Sequence, residues 1–141
     1  MLNWRHRICL LLLLVAVGVI LSGCQSNTQK SVQVKLDGTA IDGGSVSPEA
    51  GDGLRVYVTL DGEALMDLPF GEAHTVEIVQ PGVGENTVEL TGDSVYMLHA
   101  DCENQDCVNM GAVTRDNLEL RVMGGFIVCL PHKLSVEVRG D

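Results

Sequence analysis

The stretch Leu54-Arg55-Val56-Tyr57-Val58-Thr59-Leu60-Asp61-Gly62 decides the fold. Leu54, Val56, Val58 and Leu60 alternate with Arg55, Tyr57 and Thr59, the period of two expected of a strand with one face in a core and the other toward water. Asp61-Gly62 then supplies a pair of residues that tolerate the left-handed backbone conformations of a tight hairpin turn. A strand and its reversal are both written there.

The same alternation recurs outward from this hairpin. Val76 and Ile78 alternate with Thr75 and Glu77, Val88 and Leu90 with Thr87 and Glu89, and Val95 and Met97 with Tyr96 and Leu98 after a Gly92-Asp93 turn. Leu118, Leu120 and Val122 predict another strand, followed by Phe126 to Leu130 and by Leu134, Val136 and Val138. No segment carries a sustained helical stripe. The expectation is an all-β fold, a small sandwich or barrel of about eight short, mainly antiparallel strands. Aromatic residues make up only 4% of the chain, so the core rests on Val, Leu, Ile and Met and would gain from cross-linking.

The N-terminus has a different composition. Arg5, His6 and Arg7 precede an apolar run from Ile8 to Leu21, fourteen residues and therefore short for a permanent bilayer span. Leu21-Ser22-Gly23-Cys24 closes it, and this resembles the bacterial lipobox. That resemblance implies cleavage before Cys24 and alkylation of its thiol by a diacylglycerol bearing palmitate-type chains, placing the rest of the chain on the extracytoplasmic face of the cell membrane. The organisation expected is a signal peptide over 1–23, a lipidated and mostly flexible stalk over 24–52, and a β domain over 53–141. Within the stalk, Gln25 to Lys30 holds no apolar residue to offset its ordering entropy, and Ile41 to Gly53 is rich in Gly and irregular. Val32 to Leu36 is a lone strand-like patch ending in Asp37-Gly38.

Charge removes several classes of function. Loss of Arg5 and Arg7 takes Lys+Arg from 9 to 7 against 19 Asp+Glu, leaving −12 on a mature chain of 118 residues (141 − 23). Such a surface repels nucleic-acid backbones and anionic headgroups. The acidity is not that of a calcium loop, because no Asp-x-Asp-x-Asp-Gly spacing occurs. Hydrolase chemistry has no support either: Ser94 and Ser135 lack a G-x-S-x-G elbow, and His74, His99 and Asp93 form no triad order. His74, beside Glu72, reads as a solvated loop residue and His99 as an edge histidine. Neither a nucleic-acid partner nor a cofactor is expected.

The chemistry lies in Cys102, Cys107 and Cys129. Cys102 and Cys107 bracket a polar loop, a C-x4-C pair suited to a disulfide in an oxidising compartment. Cys129 in Ile127-Val128-Cys129-Leu130 reads as a buried apolar position, yet Cys129-Leu130-Pro131-His132 also sets a thiol and an imidazole at a metal-site spacing.

These residues also carry a family resemblance. The pattern D-C-x4-C-V-x2-G beginning at Asp101-Cys102, followed by Ile127-Val128-Cys129-Leu130-Pro131-His132-Lys133-Leu134-Ser135-Val136, is similar to stand-alone NusG domain II proteins. The resemblance spans about Gly53 to Arg139. It implies an all-β domain, secreted or lipid-anchored, with an association to membrane redox or flavin-linked systems; it implies no transcriptional role. Here Glu103 stands where relatives often carry proline, and Ala112 to Met123 is a longer and more charged connector.

Three functions follow. The first is a non-enzymatic, lipid-anchored binding or accessory domain, stapled through Cys102 and Cys107, with a membrane protein or small ligand as partner. The second is a thiol-disulfide relay through Cys102, Cys107 and Cys129, which requires an accessible Cys129 activated by His132. The third is a metal site of Cys102, Cys107, Cys129 and His132.

Overall fold

The computed structural model describes residues 31–41 and 53–140. The apolar leader, Cys24 and most of the expected stalk lie outside these residues. Among the described residues no helix is long and apolar enough to cross a membrane.

The described residues form ten strands and one short helix, in chain order β1 Gln33–Leu36, β2 Thr39–Ile41, β3 Leu54–Leu60, β4 Glu63–Pro69, β5 Ala73–Gln80, β6 Gly84–Thr91, β7 Ser94–Ala100, α1 Asp106–Asn109, β8 Val113–Thr114, β9 Phe126–Cys129 and β10 Leu134–Gly140. They form two sheets, one of order β2-β1-β5-β6-β7-β8 and one of order β4-β3-β10-β9. Every pairing is antiparallel. The fold is therefore an open sandwich and not a closed barrel.

The hairpin that set the expectation forms as read. Asp61 and Gly62 both take positive φ, 50° and 86°, which matches the right-handed twist of β3 and β4 on either side. The apolar members of the alternating strands meet between the sheets. Val56 and Val58 of β3, Met66 and Leu68 of β4, and Leu134, Val136 and Val138 of β10 share one buried cluster with Val76, Ile78, Val88, Leu90, Val95 and Met97 of the larger sheet. Phe70, fully buried just after β4, is its one aromatic member.

Three sequence expectations change. β1 is not tether: it pairs with β5 from Gln33↔Val79 to Leu36↔Val76, and Val34 faces the core, so Gln33–Leu36 belongs to the folded domain expected from Gly53 onward. The expected strand over Leu118, Leu120 and Val122 is a run of turns. Asn117 Oδ1 accepts from Thr114 N at 2.9 Å, and both Asn117 Nδ2 and Arg121 Nη1 donate to Ala112 O at 3.0 Å, so side chains satisfy backbone groups a ladder would have used. Leu120 and Val122 consequently point to solvent. Finally, the C-x4-C segment expected as a polar loop runs into α1, which begins with Asp106 and Cys107.

A bulge in β7 sets up the candidate site. Pairing with β6 shifts between Thr87↔His99 and Val88↔Met97, which leaves Leu98 and His99 both facing outward. The inward face of the strand changes phase as a result. Val95 and Met97 point inward before the bulge, Ala100 and Cys102 after it.

Candidate functional site

Three cysteines converge at one end of the sandwich. Cys102 follows β7 on the face reset by the bulge, Cys107 is the second residue of α1, and Cys129 ends β9 on the same buried face as Ile127. Gln105, at φ 53°, turns the chain into α1, and its Nε2 donates to Ala100 O and Cys102 O, both at 2.6 Å. That side chain ties the loop to β7 and fixes where Cys107 enters. The three sulfurs lie within 4.8 Å of one another.

Cys102 Sγ and Cys107 Sγ are 3.8 Å apart, the separation of thiols in contact and not of a covalent pair, which would stand at about 2.05 Å. All three cysteines are free and buried, so the expected staple is replaced by a cluster of thiols. Burial first, then hydrogen bonding with Cys129 and Cys102, pushes the Cys107 thiol up to about 12. A small cleft of about 40 Å³ reaches this cluster from outside, lined by Cys107 and Cys129 together with Asn104, Asp106, Leu130 and Pro131.

His132 does not join the sulfurs. Pro131 and His132 are the central residues of a turn closed by Lys133 N donating to Leu130 O at 3.1 Å, so the strand ends at Cys129 and the imidazole is carried to the larger sheet. There Nδ1 lies 2.8 Å from Asn86 Oδ1 and Nε2 lies 3.2 Å from Asp101 Oδ1. Gln80 Nε2 donates to the His132 carbonyl at 2.9 Å. Both ring nitrogens are committed, so the fourth ligand expected of His132 and its expected activation of Cys129 both fail on geometry. The imidazole is held closely: a Cβ at Gly84 would overlap it and the Asp101 carboxylate. Sequence spacing had no signal for Asn86, Gln80 or Gly84, which reach His132 only through sheet pairing.

The other histidines are also settled. His74 sits on β5 rather than in a loop, with Nδ1 at 2.8 Å from Asp37 Oδ2 and Nε2 at 3.3 Å from Glu72 Oε2. Burial alone would lower its pKa; hydrogen bonds to Asp37 and Glu72 and their charges outweigh that and raise it. Asp37 is lowered in turn by its bond to His74 and by Thr75 N–H. His99 is half exposed, 3.5 Å from Glu85 Oε1.

This geometry can be set beside known proteins. The model of the family described as NusG domain II matches residues 43–141. The chain belongs to that family. Three solved structures are similar to this NusG domain II chain. A DUF1312 family protein from Ruminococcus gnavus is 31% identical, with 62% of this chain and 99% of that one covered and a TM-score of 0.49. A protein from Listeria innocua is 24% identical over 63% and 98% of the two chains, with a TM-score of 0.53. A DUF1312 family protein from Enterococcus faecalis is 20% identical over 62% and 98%, with a TM-score of 0.54. The last two show a shared fold and nothing of function. No curated protein matches the chain.

Proposed function

We propose that this NusG domain II chain is a lipid-anchored accessory or binding domain on the extracytoplasmic face of the cell membrane. It is held there through Cys24 and serves a membrane redox or flavin-linked system without catalysing a reaction itself. One observation carries the non-catalytic part of the reading: the side chains with reactive chemistry are almost wholly buried, reached only by a cleft of about 40 Å³. Cys102, Cys107, Cys129 and His132 expose 5, 1, 1 and 4% of their surfaces, while Leu98, Leu120, Val122 and Leu130 stand in solvent where a membrane-protein or small-ligand partner could meet them. The lipobox-like Leu21-Ser22-Gly23-Cys24 supports the anchor.

Metabolic labelling with a palmitate analogue, followed by crosslinking in intact membranes, tests this reading. Label on the wild type, none on Cys24→Ala, and a crosslinked membrane partner are the expected results. Unlabelled full-length chain in the cytosol would end the proposal.

Convergence of the sulfurs supports a second reading, the thiol-disulfide relay. In it the Cys129 thiolate attacks one sulfur of an oxidised Cys102–Cys107 pair, a new disulfide forms with that sulfur, and the other leaves as thiolate. Burial of Cys129 opposes reaction with an outside partner. Unchanged reduction kinetics in Cys129→Ser would exclude it.

A further inference from the structure

We infer that Cys102, Cys107 and Cys129 together bind one thiophilic metal cation, Zn2+ or Cu+, leaving a coordination position open toward the cleft beside Pro131. The inference stands on the sulfur geometry and does not depend on lipid anchoring.

Two thiolates on one tetrahedral zinc, each at about 2.3 Å from the ion, stand about 3.8 Å apart. Cys102 Sγ and Cys107 Sγ have that separation, and Cys129 Sγ lies within 4.8 Å of both, so small side-chain rotations bring three sulfurs onto one centre. The three come from different parts of the fold: the strand end after β7, helix α1, and the end of β9. A disulfide would use two of them and leave the third without a covalent partner; one ion uses all three. Sulfur-only coordination selects soft cations over magnesium or calcium.

The surroundings fit an ion's requirements as well. Gln105 holds the loop from behind by its bonds to Ala100 O and Cys102 O, so the positions of two ligands are braced before any ion arrives. The cleft of about 40 Å³ is large enough for the water that would fill the remaining position. Asp106 lines that cleft, and Glu103 is exposed on the same loop, which concentrates cations near the entrance. Loading releases the three thiol protons to solvent, and three thiolates with Zn2+ leave a net charge of −1 at the centre.

The full-length protein, purified anaerobically in detergent from whole cells, should carry close to one equivalent of zinc or copper by elemental analysis, or take it up from added Zn2+ or Cu+. Co2+ in place of zinc should give thiolate charge-transfer and tetrahedral visible bands. Loaded protein should resist alkylation at Cys102, Cys107 and Cys129 and melt at a higher temperature than the stripped form. His132→Asn should keep the metal, and Cys129→Ser should lose it. A stripped wild type that takes up less than about a tenth of an equivalent overturns the inference. So does metal retained by a folded Cys129→Ser, or a loaded wild type whose three thiols alkylate as fast as in the stripped protein. The alkylation measurement needs no variant, so misfolding of Cys129→Ser would not shield the inference. Loss of the palmitate label would leave it intact.

Discussion

Gly84 and His132 are packed so closely that glycine is the only residue the position admits: a Cβ there would interpenetrate the imidazole Nε2 and the Asp101 carboxylate. The imidazole cannot retreat, because Asn86 and Asp101 hold both its nitrogens and the ring is 4% exposed. Gly84→Ala should therefore destabilise the domain by about 2–3 kcal/mol, a cost of overpacking. Calorimetry would show this as a fall in Tm of roughly 10 °C or more. His132→Ala in the same chain should recover part of the loss; additive effects would mean that the two residues are not coupled.

Arg55 and Asp67 form the most buried charge pair with both partners on the smaller sheet, Nε to Oδ1 at 2.5 Å, with the guanidinium also donating to Asp67 O. Asp67→Ala takes away the carboxylate and leaves the cation at a side-chain exposure of 6%. The expected cost is about 2–4 kcal/mol, with a lower urea midpoint and an unchanged slope. Replacing both residues by apolar ones of similar volume should cost less than Asp67→Ala alone.

The Asp37–His74 pair joins the β1–β2 turn to β5, and its pH dependence has a definite sign. His74 has a raised pKa in the folded state, so its contribution is complete below the unfolded value of about 6.5 and is lost as pH rises through the folded value. Asp37 is lowered, so its contribution is complete above about 3.8 and is lost as pH falls through the folded value. The pair should stabilise the domain most between those limits, by a modest amount because Asp37 is half exposed. Wild type and His74→Gln should differ in Tm at pH 5.5 and converge by pH 9; a constant difference would refute the linkage.

Leu120 and Val122 belong to an alternating pattern and nonetheless face water at 83 and 102% exposure. Ser at both positions should change stability by no more than about 0.5 kcal/mol. Asn117→Ala, which removes the bonds to Thr114 and Ala112, should cost more than the two together.

These contrasts show what a single chain discloses. β3 and its Asp61-Gly62 turn were legible because alternation and turn chemistry are local and agree with each other. The Leu118–Val122 turns mimic the alternation, and only the Asn117 and Arg121 side chains, which replace ladder bonds, separate the two cases. The place of β1 in the domain is not legible locally, because its four residues are stabilised by β5, forty or more positions away. The cysteines were legible as a group, but their arrangement was not: the β7 bulge turns Cys102 inward, and the Pro131–His132 turn removes the imidazole from the cluster. Neither event leaves a mark on spacing.

Enrolment of β1 in the larger sheet also sets a leash. From Cys24 to Gln33 there are nine steps of chain (33 − 24), which cannot reach farther than about 30 Å even fully drawn out. A body acylated at Cys24 would hover within one protein diameter of the bilayer, patrolling it laterally and meeting only what lies in that plane or just above it.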